Sequence, residues 1–119
     1  MYSKYDQLRR RFCYVVNELE EIQKLVDFTN HPLVRSFAYV KHVMKNSSNT
    51  HYHFCFILHG MSTSVRLEKL LGVPKEHEFY GRGSLEAEID YFLRGGEVDD
   101  VVPKTFRTNI KAYKKYNGV

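Results

Sequence analysis

The stretch of this chain with the most chemical promise is His51-Tyr-His-Phe-Cys-Phe-Ile-Leu58. Read as a β-strand, it places residues two apart on one face and roughly 6–7 Å from each other. His51 and His53 then aim their rings at a common point, where metal–imidazole bonds of about 2.1 Å are within reach of both. Tyr52, Phe54, Phe56 and Leu58 take the opposite face and anchor the strand against helices. With six histidines in 119 residues the bare pair is a weak signal. His42 strengthens it, because it ends the preceding apolar run. If Lys45-Asn-Ser-Ser-Asn-Thr50 closes an antiparallel hairpin, His42 lies almost opposite His51 and three imidazoles converge on one edge of a sheet. Imidazole donors suit Mn²⁺ better than Mg²⁺, which prefers oxygen. His59 shares the strand parity but lies too far along to join them. His31 and His77 read as solvent-facing turn residues.

A cation on a sheet face polarises a phosphate, but the reaction still needs a nucleophile. Between Ser84 and Arg94 a helix is expected, with Leu85, Ile89, Phe92 and Leu93 forming its buried stripe. Tyr91 lies roughly 145° from the centre of that stripe, so it is not a simple core residue of this helix. Ala87, one turn earlier, leaves room for a substrate. Arg94, three residues later, can hold the phosphate under attack. Tyr113 and Tyr116, set among Lys114 and Lys115, are the alternative nucleophiles. As part of a basic tail they would otherwise stack on bases.

These residues need elements to position them. Arg11 to Val16 reads as a first strand, and Asn17 as the cap of a helix carrying Leu19, Ile22, Leu25 and Val26. Asn30-His-Pro32 ends that helix. Strands follow at Val34–His42 and His51–Leu58, and Gly60 breaks the second. Ser62 or Ser64 caps a helix closed by Gly72 and Pro74. His77–Tyr80 is a short strand, Gly81-Arg-Gly83 a turn, and Gly95-Gly96 the end of the last helix. Residues 101–119 read as a short strand or helix and then a loose tail. The order βαββαβα predicts an α+β fold: an antiparallel sheet with helices, of RRM-like or ferredoxin-like type.

Composition is compatible with such a domain. Hydrophobic residues make up 43% of the chain, enough for a core in one domain spanning residues 1–119. The longest apolar run, Phe54–Leu58, cannot cross a bilayer. No basic start precedes a long apolar stretch, so a cytosolic location is expected. Cys13 and Cys55, inside apolar strands, read as buried thiols without a Cys-x-x-Cys zinc pattern. The formal charge is +4. Arg9, Arg10 and Arg11 form one basic cluster, and Lys111, Lys114 and Lys115 belong to an acid-free C-terminus. Basic ends around a mixed middle suit a polyanion.

At this point the chain resembles the HUH superfamily of rolling-circle replication initiators. His51-Tyr-His53 before Phe-Cys-Phe-Ile looks like the HUH motif. Ser64-Val-Arg-Leu-Glu-Lys-Leu-Leu-Gly72 resembles the helix that follows it, and Tyr91-Phe-Leu-Arg94 the Tyr-Leu-x-His-type helix end. The likeness spans about residues 11–96 and is closest to the Rep proteins of small plasmids or of archaeal rod-shaped viruses. It implies a Mn²⁺- or Mg²⁺-dependent nickase of single-stranded DNA, acting at a replication origin or terminal hairpin in a host cytoplasm. His51, His53 and His42 would be the ligands, and Tyr91 would form the 5′-phosphotyrosine. Related Reps imply a homodimer. Val43-Met-Lys45 departs from the family pattern, which places an acidic ligand there, so the fourth ligand stays unassigned. Arg94 also stands where histidine or lysine is usual. Rival readings are a non-catalytic RRM-like module for single-stranded nucleic acid, a Y1 HUH transposase, and a metal phosphoesterase that uses water.

Overall fold

The structure, a computed structural model, describes residues 4–80 and 83–119. Gly81 and Arg82, two of the three residues of the expected turn, lie outside them. Five antiparallel strands form one sheet: β1 (Arg9–Val16), β2 (Val34–Met44), β3 (Thr50–Ser62), β4 (Glu78–Phe79) and β5 (Asp99–Thr108). Their spatial order is β4-β1-β3-β2-β5. Among the described residues three α-helices accompany the sheet: α1 (Leu19–Phe28), α2 (Ser64–Leu71) and α3 (Leu85–Arg94). The fold is therefore α+β, with one strand more than the expected βαββαβα order.

β3 is the central strand, and its composition explains why. Alternation lets a strand bury both faces only if both parities are apolar or satisfied. Phe54, Phe56 and Leu58 meet Phe12 and Tyr14 of β1, Leu25 and Phe28 of α1 and Leu67 of α2 in one core. Cys55, on the other face, joins Cys13, Ala38 and Val40 beneath Ile89 and Phe92 of α3. Each fully buried aromatic side chain contributes on the order of 2–3 kcal/mol, so the ring-rich face holds the sheet in register. Both cysteines are free and buried.

Several local expectations need correction. Gly60 does not break β3, which continues to Ser62 and pairs there with Arg9 across an irregularity. A side chain at Gly60 would meet nothing, so the glycine is not demanded by its surroundings. Helix α1 is capped by the backbone of Glu18, not by Asn17, and no side chain completes the cap. Thr63, between the two serines considered, caps α2 by accepting from the Arg66 amide at 3.2 Å. Ser84 caps α3 as expected, accepting from the Ala87 amide.

The largest correction is at the C-terminus, which is no loose tail. β5 pairs with β2, and residues 111–116 form a 3-10 helix folded back against it. The Asn117 carboxamide ties this segment down, accepting from the Thr108 amide at 2.8 Å and donating to the Thr108 carbonyl at 3.0 Å. Proline is tolerated at position 103 because β5 is an edge strand with one side unpaired. Among the described residues no helix is long and apolar enough to cross a membrane.

Candidate metal centre and tyrosine

The β2–β3 register sets His42 directly opposite His51, and Val40 opposite His53. The rings of His42 and His53 lie 4.4 Å apart, and those of His51 and His53 4.8 Å. Sequence reasoning left the fourth member open; it is Asp99, the first residue of β5. Its Oδ2 lies 3.4 Å from His51 Nε2, 3.8 Å from His42 Nδ1 and 3.9 Å from His53 Nε2. The four side chains offer ligand atoms all within 4.8 Å of one another, so the group can hold a metal ion.

The polar inventory fits a cation. The Phe92 carbonyl can only accept, so His42 Nε2, 3.2 Å away, must donate to it. That fixes His42 Nδ1 as the lone-pair nitrogen, the arrangement by which a second contact orients a metal-binding imidazole. His42 Nδ1, both ring nitrogens of His53 and Asp99 Oδ1 are buried without a hydrogen-bond partner. Lone pairs facing a carboxylate repel one another, and leaving such groups unpaired costs about 1–3 kcal/mol each. A cation among them gives His42 Nδ1, one nitrogen of His53 and the Asp99 carboxylate a partner.

Protonation does not offer the same relief. Burial, reinforced by the neighbouring His42 and His51, lowers His53 to about 3. Burial also lowers His42, against the opposing pull of the Phe92 carbonyl and Asp99. The His42–Asp99 and His53–Asp99 approaches are therefore not ion pairs at neutral pH. For Asp99 burial pushes the carboxyl up, but the Tyr91 hydrogen bond and the three histidines together outweigh it and hold it below its usual value.

Tyr91 sits at the edge of the cluster. Its hydroxyl donates to Asp99 Oδ2 at 2.8 Å, and its ring lies 5.3 Å from His42 and 5.5 Å from His53. Burial first, then the Asp99 hydrogen bond and charge, raise its phenol to about 12. The close approach depends on the glycines after α3. Gly95 has φ +72°, and a Cβ there would come within 2.5 Å of the Asp99 carbonyl oxygen. A Cβ at Gly96 would press on the Tyr91 ring at 3.1 Å. The glycine pair thus lets β5 begin against the end of α3, which is what delivers Asp99 to Tyr91. His51 keeps the cluster accessible: it lines a cleft of about 280 Å³ with Val16, Asn17 and His77.

Other expected site residues are placed elsewhere. Arg94 is exposed and pairs with Asp90 at 3.0 Å, one turn back along α3. Arg9 is occupied inside the fold: its guanidinium donates to Ser64 and Glu78, each at 2.6 Å, and lies 4.2 Å from the Phe12 ring centre. The Glu78 side chain is fully buried there, so Arg9 is a structural cation. Arg11 donates to the Gly83 carbonyl at 3.1 Å, while Arg10 is exposed. Lys111, Lys114 and Lys115 are exposed along the C-terminal 3-10 helix. Tyr113 packs against the core under α3 and Tyr116 lines a surface cleft; neither belongs to the histidine cluster. His77 is not a plain turn residue, since it pairs with the buried Glu21 at 3.0 Å, and His31 packs on Phe28. Comparison of the chain with protein-family models, with curated proteins and with solved structures finds no match.

Proposed function

We propose that this chain is a metal-dependent endonuclease that nicks and rejoins single-stranded DNA through Tyr91, of the replication-initiator kind its His51-Tyr-His53 strand resembles. The observation that carries the reading is the Tyr91 hydroxyl, 2.8 Å from a carboxylate that itself belongs to a buried three-histidine cluster. The order β4-β1-β3-β2 within the sheet, reached through a βαββαβ run, supports the ferredoxin-like form of the fold that such nucleases share.

His42, His51, His53 and Asp99 would hold the cation, and three imidazoles with one carboxylate favour Mn²⁺ over Mg²⁺. When bound, it supplies a Lewis acid beside the phosphate. The remaining work falls to the chain. Tyr91 attacks phosphorus: the Tyr91 Oη–P bond forms as the P–O3′ bond breaks. The phenolic proton passes to Asp99 and on to solvent, while the departing 3′ oxygen takes up a proton. The phosphotyrosine retains the energy of the broken ester, so a 3′-OH can reverse the step and reseal the strand. Arg94 can turn from Asp90 to the phosphate at small cost, because an exposed ion pair is worth at most about 1 kcal/mol. One nucleophile per chain cannot hold a 5′ end and attack again, so two copies acting as a homodimer would pass the strand between them.

The test is a covalent band. With single-stranded DNA and Mn²⁺ the wild-type chain should give a protein–DNA adduct, and Tyr91→Phe should give neither adduct nor nick while keeping its fold. An adduct in Tyr91→Phe overturns the assignment of the nucleophile. Undiminished cleavage in EDTA overturns the role of the metal.

A further inference from the structure

A hollow of about 670 Å³ lies beside the histidine cluster, between α3, β5 and the C-terminal 3-10 helix. That is within the usual range for a small-molecule site. We propose that it is a guanine-binding subsite for a nucleotide next to the scissile phosphate, an inference that rests on the nuclease reading above.

Its position follows from two elements. Val101, in the cleft wall, is two residues beyond Asp99 on β5 and so lies roughly 6–7 Å further along the same face. Ala87 and Arg94, also in the wall, flank Tyr91 on α3 at i−4 and i+3, where helical side chains are neighbours. A strand whose phosphate meets Tyr91 therefore has the cleft within reach of an adjacent base.

Its lining suits a base better than a phosphate. Tyr113 and Tyr116 supply aromatic wall on which any base can stack, over the buried Phe106. Lys115 stands 5.3 Å over the Tyr116 ring, a cation next to the cleft that can meet a sugar–phosphate. Inside are two carboxylates, Glu86 and Asp90, against the single Arg94, a balance that repels an anion. Asp90 is taken by Arg94. Glu86, exposed in the first turn of α3, has no hydrogen bond or ion pair among the described residues.

A free carboxylate beside aromatic rings selects among bases. Guanine presents N1–H and N2–H₂ side by side, matching both oxygens of one carboxylate. Adenine and cytosine set one amino group beside a ring nitrogen whose lone pair a carboxylate repels. Thymine has one N–H between two carbonyls. Edge readout of this kind is how proteins identify a base taken out of the stack.

The test uses the full chain in EDTA, so that no nucleotide is drawn to the histidine cluster through a metal. Calorimetric titration with dGMP, dAMP, dCMP and dTMP is expected to show dGMP binding at least about tenfold more tightly than the others, the discrimination typical of a bidentate contact. Glu86→Gln should reduce that preference to within about twofold, and Tyr116→Ala should weaken all four nucleotides alike. Equal affinities, no binding at millimolar nucleotide, or an unchanged preference in Glu86→Gln would each overturn the proposal. A dGMP preference without any Tyr91 adduct removes the nuclease reading but leaves the guanine site. An adduct without base preference removes the guanine site alone.

Discussion

Replacing Asp99 by asparagine changes one buried oxygen to nitrogen, and its effect should depend on whether metal is present. Without metal the substitution has two opposed consequences. The hydrogen bond from Tyr91 loses its charge assistance, a difference of about 1 kcal/mol between a charged and a neutral acceptor. In return, the carboxylate that faces the His42 Nδ1 lone pair becomes an amide whose N–H can donate to it. The net change in EDTA should stay within about 1 kcal/mol. With metal the result differs. At a concentration 100 times its Kd, Mn²⁺ stabilises the native chain by about 2.7 kcal/mol. At about 4 °C per kcal/mol for a domain of this size, the wild-type Tm should rise by roughly 11 °C. Loss of a charged ligand should weaken binding by about 100-fold, at the upper end of what even outer contacts contribute. The same Mn²⁺ concentration then equals the Kd of the variant and adds only about 0.4 kcal/mol, a rise under about 2 °C. Differential scanning fluorimetry in EDTA and in Mn²⁺ reads both numbers. If Asp99→Asn costs more than about 3 kcal/mol in EDTA, or keeps the full Mn²⁺ shift, Asp99 is a structural acceptor and not a ligand.

Gly95→Ala should cost more than about 2 kcal/mol in urea denaturation, because it adds strain at positive φ to a backbone clash. It should also weaken Mn²⁺ binding by displacing Asp99, whereas Gly60→Ala should do neither. Arg9→Ala should destabilise by about 3–5 kcal/mol, since it strands the buried Glu78, while Arg10→Ala stays within about 0.5 kcal/mol. Changing Lys111, Lys114 and Lys115 together to alanine should reduce the log–log salt slope of single-stranded DNA binding by about 2, from about 0.7 per phosphate contact. An unchanged slope would assign that segment to solubility alone. Sedimentation at working concentration should give a dimer, and a monomer with full strand transfer would remove the need for one.

The parts of this site that were legible in advance are those set by short-range geometry. Alternation along His51–Leu58 and a loop short enough for a hairpin suffice to bring His42, His51 and His53 together, because a strand offers only two faces. Helical periodicity suffices to turn Tyr91 away from the centre of the buried stripe, although Tyr91 is half-buried by the cluster it meets. Asp99 was not legible. It opens a strand that reads poorly as one, Asp-Asp-Val-Val-Pro-Lys-Thr-Phe-Arg-Thr, in which the proline argues against a central position. Only the sheet order shows that the strand lies at an edge, where proline is allowed.

Long-range pairing explains the misreading of Arg9 as well. Three consecutive arginines look like one basic patch, yet alternate residues of a strand have different neighbours. Arg9 finds a buried glutamate 69 residues away, and Arg10 finds solvent. Charge counted along a chain therefore overstates what is available to a polyanion, by whatever fraction the fold consumes internally. Of the cations expected to meet a polyanion, Arg10, Arg94 and the lysines of the C-terminal 3-10 helix are exposed. Arg94 and Lys115 stand beside the 670 Å³ cleft and Tyr91's helix. A strand following them would cross α3 and β5, not the N-terminal arginines. The 3-10 helix that read as a loose tail thus borders the same surface as the site: β5 supplies the carboxylate Asp99, and the 3-10 helix supplies Tyr116 and Lys115 beside the cleft.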